Sequence, residues 1–267
     1  MIVSSQFGCP VGCLFCDAGA DYRGDLLVDE ILGQVEWIME RHRQDGGWAC
    51  PKIKLHFARM GEPALNDAVL ETLFLLPFSY PGVAFLPVVS TVAPRTAGRW
   101  LEGLREVKDR FFAGGRFQLQ FSVNSTDEAA RDRVMPIQHW TMEEISRFGA
   151  TWWREGDRKI TLNFALVDEV PFDTRVLIGL FDPSRFLVKV TPVNPTRSAR
   201  RRDIRSLLSP EAEQRLPPPV AAAREKLEGA GFEVIVSIGS AAETAIGSNC
   251  GQLVMQRRRA LEPQSLG

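Results

Sequence analysis

Cys9-Pro-Val-Gly-Cys13-Leu-Phe-Cys16 sets three cysteines in a CxxxCxxC spacing a few residues after an apolar start that reads as a first strand. Three thiolates so spaced can hold three corners of a four-iron, four-sulfur (4Fe-4S) cluster, whereas an electron-transfer cluster normally takes a fourth cysteine. The fourth iron is then open. An open iron can bind the amino and carboxylate groups of S-adenosyl-L-methionine (SAM), and reduction of the cluster can cleave the sulfonium to a 5′-deoxyadenosyl radical. Two plainer uses of the thiols compete. Structural zinc usually takes four ligands, and the fourth would come from Cys50, Cys250, His42, His56 or His139. A disulfide framework fits less well, because five cysteines in 267 residues are odd in number and sparse, and no charged-then-apolar signal stretch is read before Cys9. Such cysteine usage points to a reducing, cytoplasmic setting.

The elements that must position these thiols alternate. Strands are expected at Ile2 to Gln6, Ile53 to Ala58, Ala84 to Thr91, Phe117 to Val123, Ile160 to Val167 and Leu187 to Val193. Between the first two, Val28, Ile31, Leu32, Val35, Ile38 and Met39 share one face of a helix over Val28 to Arg43. Asp29 and Glu30 in its first turn and Arg41 and Arg43 in its last complement the helix dipole, and Gly46-Gly47 ends it. Strand-helix alternation with near-continuous apolar strands predicts an α/β fold with a parallel sheet covered by helices. The length suits a partial (β/α)6 barrel better than a closed eight-stranded one, which takes about 250 residues for its repeats alone. Pro217 to Pro219 predict a break before a short helix Val220 to Glu228 and a final strand Phe232 to Ser237. The expected organisation is a core over residues 1–205 and a carboxy-terminal helix-strand extension over 206–267.

Polar residues gather at the carboxyl ends of these strands. The cysteine motif follows the first, Gly61-Glu62-Pro63 the second, Ser90-Thr91 closes the third, Ser122 and Asn124 the fourth, Asp168 the fifth and Asn194-Pro195 the sixth. In a parallel barrel those ends share one rim, where active sites assemble. Any one of them could be ordinary turn chemistry; their common placement beside a cluster motif argues for a site. Composition narrows the rest. A net charge of -1 offers no global basic field for nucleic acid, and no apolar run reaches the roughly 20 residues that span a bilayer. Arg200 to Arg202 and Arg257 to Arg259 are local basic runs, more often solvated faces than phosphate sites.

Over nearly its whole length the chain resembles the RlmN/Cfr methylases, radical SAM enzymes that methylate an adenosine of ribosomal RNA. The segments that carry the resemblance are Val3-Ser-Ser-Gln-Phe-Gly-Cys9 with its CxxxCxxC, Met60-Gly-Glu-Pro-Ala-Leu-Asn66, Val89-Ser-Thr91, Arg133-Val-Met-Pro-Ile137, Val193-Asn-Pro195 and Asn249-Cys-Gly-Gln-Leu253. The resemblance implies a partial barrel of the radical SAM type, a cluster on Cys9, Cys13 and Cys16, and SAM contacts from Gly61, Glu62, Ser90, Ser122, Val123, Asn124 and Asn194. At Asn124 the family normally has histidine. It also implies that Cys250 carries a methyl group from which a radical forms and adds to an unsaturated carbon, leaving a thioether that a second cysteine resolves. The position of that second cysteine is Ile2 here.

Other departures point the same way. The sequence begins at the first strand, without the family's amino-terminal RNA-handling domain. Two arginines and an aspartate before the family's catalytic cysteine align with Gly239, Ala242 and Ala245. Backbone phosphate contacts dominate affinity for nucleic acid, so ribosomal RNA is disfavoured as substrate. The expectation is therefore a methyltransferase-like radical SAM enzyme acting through Cys250 on an sp2 carbon of a small molecule or peptide. It would draw electrons from an external donor such as flavodoxin or ferredoxin. The alternatives are direct hydrogen abstraction from substrate without methyl transfer, RNA methylation, and a non-catalytic metal-binding module.

Overall fold

The computed structural model describes residues 1–44, 52–208 and 216–238. Seven parallel strands form one sheet in sequence order. They are β1 (Ile2–Val3), β2 (Ile53–Phe57), β3 (Phe85–Thr91), β4 (Gln118–Ser122), β5 (Ile160–Leu166), β6 (Phe186–Pro192) and β7 (Val234–Val236). The helices between them are α1 (Val28–Gln44), α2 (Ala68–Ser79), α3 (Gly98–Phe111), α4 (Glu128–Val134), α5 (Met142–Trp152), α6 (Thr174–Leu180), α7 (Arg197–Arg201) and α8 (Pro218–Gly229). This is the α/β alternation the sequence predicts, and among the described residues it leaves β1 and β7 as the edges of a partial barrel.

The core lies between the sheet and the helices. Leu55, Phe57, Val89, Phe121, Leu162 and Val188 are fully or almost fully buried, as are Ile31 and Val35 of α1 and Leu73 and Leu76 of α2. Successive strand residues face opposite sides, so the neighbours of these apolar residues face inward: Lys54 and His56 on β2, Gln118 and Gln120 on β4, Asn163 on β5, Lys189 on β6. The strands are therefore less continuously apolar than the sequence reading has them. Helix ends follow local chemistry. Thr141 and Glu144 cap α5 reciprocally, side chain to backbone in both directions.

Three boundaries differ from expectation by two residues or more, β7 beginning at Val234 rather than Phe232. β1 stops at Val3 rather than Gln6, because the amide of Ser4 bonds to Gln34 Oε1 and those of Ser5 and Gln6 to the Met60 carbonyl. The last helix starts at Pro218 rather than Val220. Pro218 and Pro219 occupy its first turn, where an amide has no intrahelical acceptor, so prolines cost nothing there. β7 pairs in parallel with β6, Lys189 opposite Ile235, and so extends the same sheet. Among the described residues no helix is long and apolar enough to cross a membrane.

Candidate functional site

The loop after β1 carries the cysteines and is fastened at both ends. Near its start, Gln6 donates to Asp25 Oδ1 (2.7 Å) and accepts from the Glu62 amide (2.8 Å). Asn66 Nδ2 donates to the Ser5 and Leu26 carbonyls, tying the loop to the turn after β2. Gly8 has φ +90, and a Cβ there would lie 2.1 Å from the Asp21 carbonyl oxygen. Gly61 has φ +109, and its Cβ would lie 2.4 Å from Ser5 Oγ. Only glycine fits either position. At the far end Asp17 accepts from the amides of Arg197 and Ser198 at the start of α7, and Thr196 donates to the Phe15 carbonyl. The thiols are thus held between the β2 turn and α7.

Glu62 organises the rim. Its buried carboxylate accepts from the amides of Ala64 (3.1 Å) and Val92 (2.9 Å) and from the Thr91 hydroxyl. Burial raises it to about 7, against those three hydrogen bonds. Asn124 adopts φ +62, a conformation asparagine tolerates. Its Oδ1 accepts from Ala165 N and its Nδ2 faces Met135 Sδ at 3.2 Å, so it braces β5 and α4 as well as the site.

A cavity of about 390 Å³ brings these residues together. Cys9, Cys13 and Cys16 line it, with Gly61, Glu62, Ser90, Ser122, Asn124 and Asn194. One cavity can touch strand ends from β2 to β6, and Ser237 just past β7, only if the sheet curves around it. Val123 does not line it. Its side chain is fully buried in the helix-facing core, its amide bonds to the Asn163 carbonyl, and its own carbonyl accepts from Ser125 and Arg131. Cys50 and Cys250 lie outside the described residues. Of the residues the sequence reading passed over, Gln6, Asn66 and Asp17 build the loop, while Gln120, Asn163, Lys189 and Thr191 line the cavity. The available signal for the last four was the period-two alternation of polar with apolar residues along β4 to β6.

The thiols suit a cluster. They are half-buried and close enough to repel one another when ionised. Burial pushes Cys9 up to about 12, Glu62 and Cys16 adding repulsion, and raises Cys13 well above the ordinary thiol range for the same reasons. Three half-buried thiolates side by side call for a compensating cation, and a coordinated metal deprotonates its thiol outright. Among the described residues no three His, Cys, Asp or Glu side chains converge as ligands of a single ion would. None of the three histidines lines the cavity. Three thiols on one cavity, with short polar groups around them, are a donor set that fits an iron-sulfur cluster and SAM.

Comparison with known proteins agrees. A probable dual-specificity RNA methyltransferase RlmN of Desulfitobacterium hafniense is 31% identical over 271 residues, covering 97% of this chain and 67% of its own length. The chain belongs to the RlmN branch of the radical SAM superfamily, as a distant member. A probable RNA methyltransferase of Sorangium cellulosum is 30% identical over 98% of this chain and 62% of its own length. The chain spans about half to two thirds of the length of the curated relatives it matches. No family model matches it. Among solved structures, a radical SAM methyltransferase from Sphaerobacter thermophilus superimposes with a TM-score of 0.69 at 20% identity, over 94% of this chain and 69% of that one. A spore photoproduct lyase variant gives 0.58 at 13% identity, over 89% and 76%. These likenesses show the radical SAM partial-barrel fold. Membership of the superfamily carries a 4Fe-4S cluster and SAM as cofactors.

Proposed function

We propose that this radical SAM protein is a methyltransferase-like enzyme. It methylates, or transfers a methyl-derived carbon to, an sp2 carbon of a small molecule or peptide, with Cys250 as the carbon carrier. The observation that carries this reading is the single cavity that holds the CxxxCxxC thiols and the polar rim in about 390 Å³. When bound, the cluster and SAM supply the electron and the radical that begin the chemistry.

The chain's own residues hold, orient and enclose. Cys9, Cys13 and Cys16 would fix the cluster. Gly61, whose missing side chain makes room for Ser5 and Gln6 of the cysteine loop, would sit with Glu62 against the methionyl group of SAM. Ser90, Ser122 and Asn194 would hold its ribose and adenine, each buried polar group of the cofactor requiring a partner. Asn124, braced by Ala165 and Met135, offers its position rather than a free amide. Val123 has its backbone committed elsewhere and would contribute packing alone. Val11, Val92, Val134 and Met135 form an apolar wall beside Cys9 and Cys13, which excludes water from the reaction. Radical SAM enzymes need an external electron donor, and a flavodoxin or ferredoxin in a reducing, cytoplasmic setting would serve.

A second reading, RNA methylation, follows the names of the relatives and is favoured by one observation. Arg197, Arg200 and Arg201 are exposed on α7, the helix fastened to the cysteine loop, and could meet phosphates.

The deciding experiment incubates the anaerobically reconstituted protein with SAM and a reductant, then maps peptides by mass spectrometry. One added methyl on Cys250, with substrate chemistry lost in Cys250→Ala while 5′-deoxyadenosine still forms, supports the carrier role. A bare Cys250 with accumulating 5′-deoxyadenosine assigns direct hydrogen abstraction instead. Methyl incorporation into added ribosomal RNA selects the second reading.

A further inference from the structure

Beneath the rim, the inner face of the sheet carries a second polar layer. Gln120 lies one inward position below Ser122 on β4. Asn163 on β5 is the register partner of both Ser122 and Lys189. Lys189 stands in the middle of β6, one inward position below Thr191. All three line the cavity that holds the cysteines. The interior of a parallel barrel is ordinarily packed with branched apolar side chains, so polar side chains here require partners.

The described residues do not supply them all. Asn163 Oδ1 is buried with no hydrogen-bond partner among the described residues. Lys189 is half-buried, and the charge acting on it among those residues is another cation, Lys54 on the inner face of β2. Glu62 is the one carboxylate among the described lining residues, and it is engaged at the rim with Ala64, Thr91 and Val92. His56, also on the inner face, is held neutral near pH 7. Burial first, then the amino terminus, Lys54 and Lys189, lower it to about 4. Among the described residues the inner wall is therefore cationic without a counter-ion, and a desolvated ammonium is costly until it is paired.

We propose that the substrate carries an oxyanion group, a carboxylate or a phosphate, that pairs with the Lys189 ammonium. A hydrogen-bond donor of the same molecule then meets Asn163 Oδ1, and Gln120 flanks the pair. This rests on the reading of the cavity as a shared SAM and substrate compartment. It gives the rim and the wall separate tasks: Ser90, Ser122 and Asn194 at the strand ends face the cofactor, while Lys189, Asn163 and Gln120 select what lies beneath it.

Ligand-observed NMR on the reconstituted, SAM-loaded holoenzyme tests this, with succinate and inorganic phosphate as anionic probes and succinamide as the neutral match. Anion binding should exceed succinamide binding by about tenfold or more, the worth of one charge-assisted hydrogen bond. Lys189→Met should erase that preference and Lys189→Arg should keep it, with SAM affinity by equilibrium dialysis unchanged in both. A preference for succinate identifies a carboxylate, and a preference for phosphate a phosphate ester. Equal binding of succinate and succinamide, no anion binding, or an anion preference that survives Lys189→Met overturns the proposal. Loss of SAM affinity in Lys189→Met also overturns it, because the lysine would then serve the SAM carboxylate. None of these readouts depends on methyl transfer, so a failed anion site leaves the Cys250 result standing and a bare Cys250 leaves the anion site standing.

Discussion

The two faces of the sheet are made by the same strands and do opposite work. Facing the helices, Leu55, Phe121, Leu162 and Val188 are buried in one continuous apolar cluster. Facing inward, one residue along each strand, stand His56, Gln120, Asn163 and Lys189. Because side chains alternate with a period of two, the outer face can be optimised for packing and the inner for chemistry with no residue serving both. Stability and activity should therefore be separable by mutation, position by position. Glu62 and Asn124 are the exceptions, since each braces the backbone from within the site.

The largest separation is expected at Cys13. Cys13→Ala should abolish cluster assembly, read as loss of iron and labile sulfide after anaerobic reconstitution, while far-UV circular dichroism stays that of the wild type. A collapse of the fold in that variant would break the division between the faces. Next is the opposite case. Leu162 is fully buried, so Leu162→Ala should cost about 2–5 kcal/mol in denaturant unfolding, with cluster content per folded molecule unchanged.

A smaller effect separates the faces by pH. The folded protein disfavours the proton on His56, lowering it from the ordinary 6.5 to about 4. The unfolded chain binds that proton more readily between those values, so stability falls as pH drops through this window. His56→Gln should flatten the loss, seen as a smaller difference in urea midpoint between pH 7 and pH 5 than in the wild type. The smallest effect is expected at Gln120. Its side chain packs into the cavity rather than the core, so Gln120→Ala should move unfolding by no more than about 0.5 kcal/mol. A loss of several kcal/mol would show that the inner wall carries structure as well.

The sequence made the outer face legible. Apolar runs bounded by turn residues located six strands to within a few residues, and the cysteine spacing by itself pointed to the cluster. The inner face was harder to read, because Gln118, Gln120, Asn163 and Lys189 are isolated polar residues inside apolar runs. The cavity that Gln120, Asn163 and Lys189 share exists only once the strands are in register. Val123 shows the same difficulty from the other side. It sits between Ser122 and Asn124 in the chain, yet alternation turns it into the helix-facing core. β1 looked five residues long by composition, Ile2 to Gln6, and ended after Val3, because hydrogen bonds to Gln34 and Met60 compete with the ladder.

By itself the sequence determined which groups are available: three thiols at cluster spacing, a Gly-Glu turn after the second strand, and strand-helix units whose periodicity dictates a parallel sheet. Those follow from local spacing and from the burial of apolar faces, which act over a few residues at a time. Only the tertiary structure decided that Asp17 would anchor the cysteine loop to α7, about 180 residues along the chain. It alone decided that Lys189 and Asn163 would stand side by side, with Asn163 Oδ1 left without a partner among the described residues. Contacts between strands depend on register and curvature, which are properties of the assembled sheet and of no single segment.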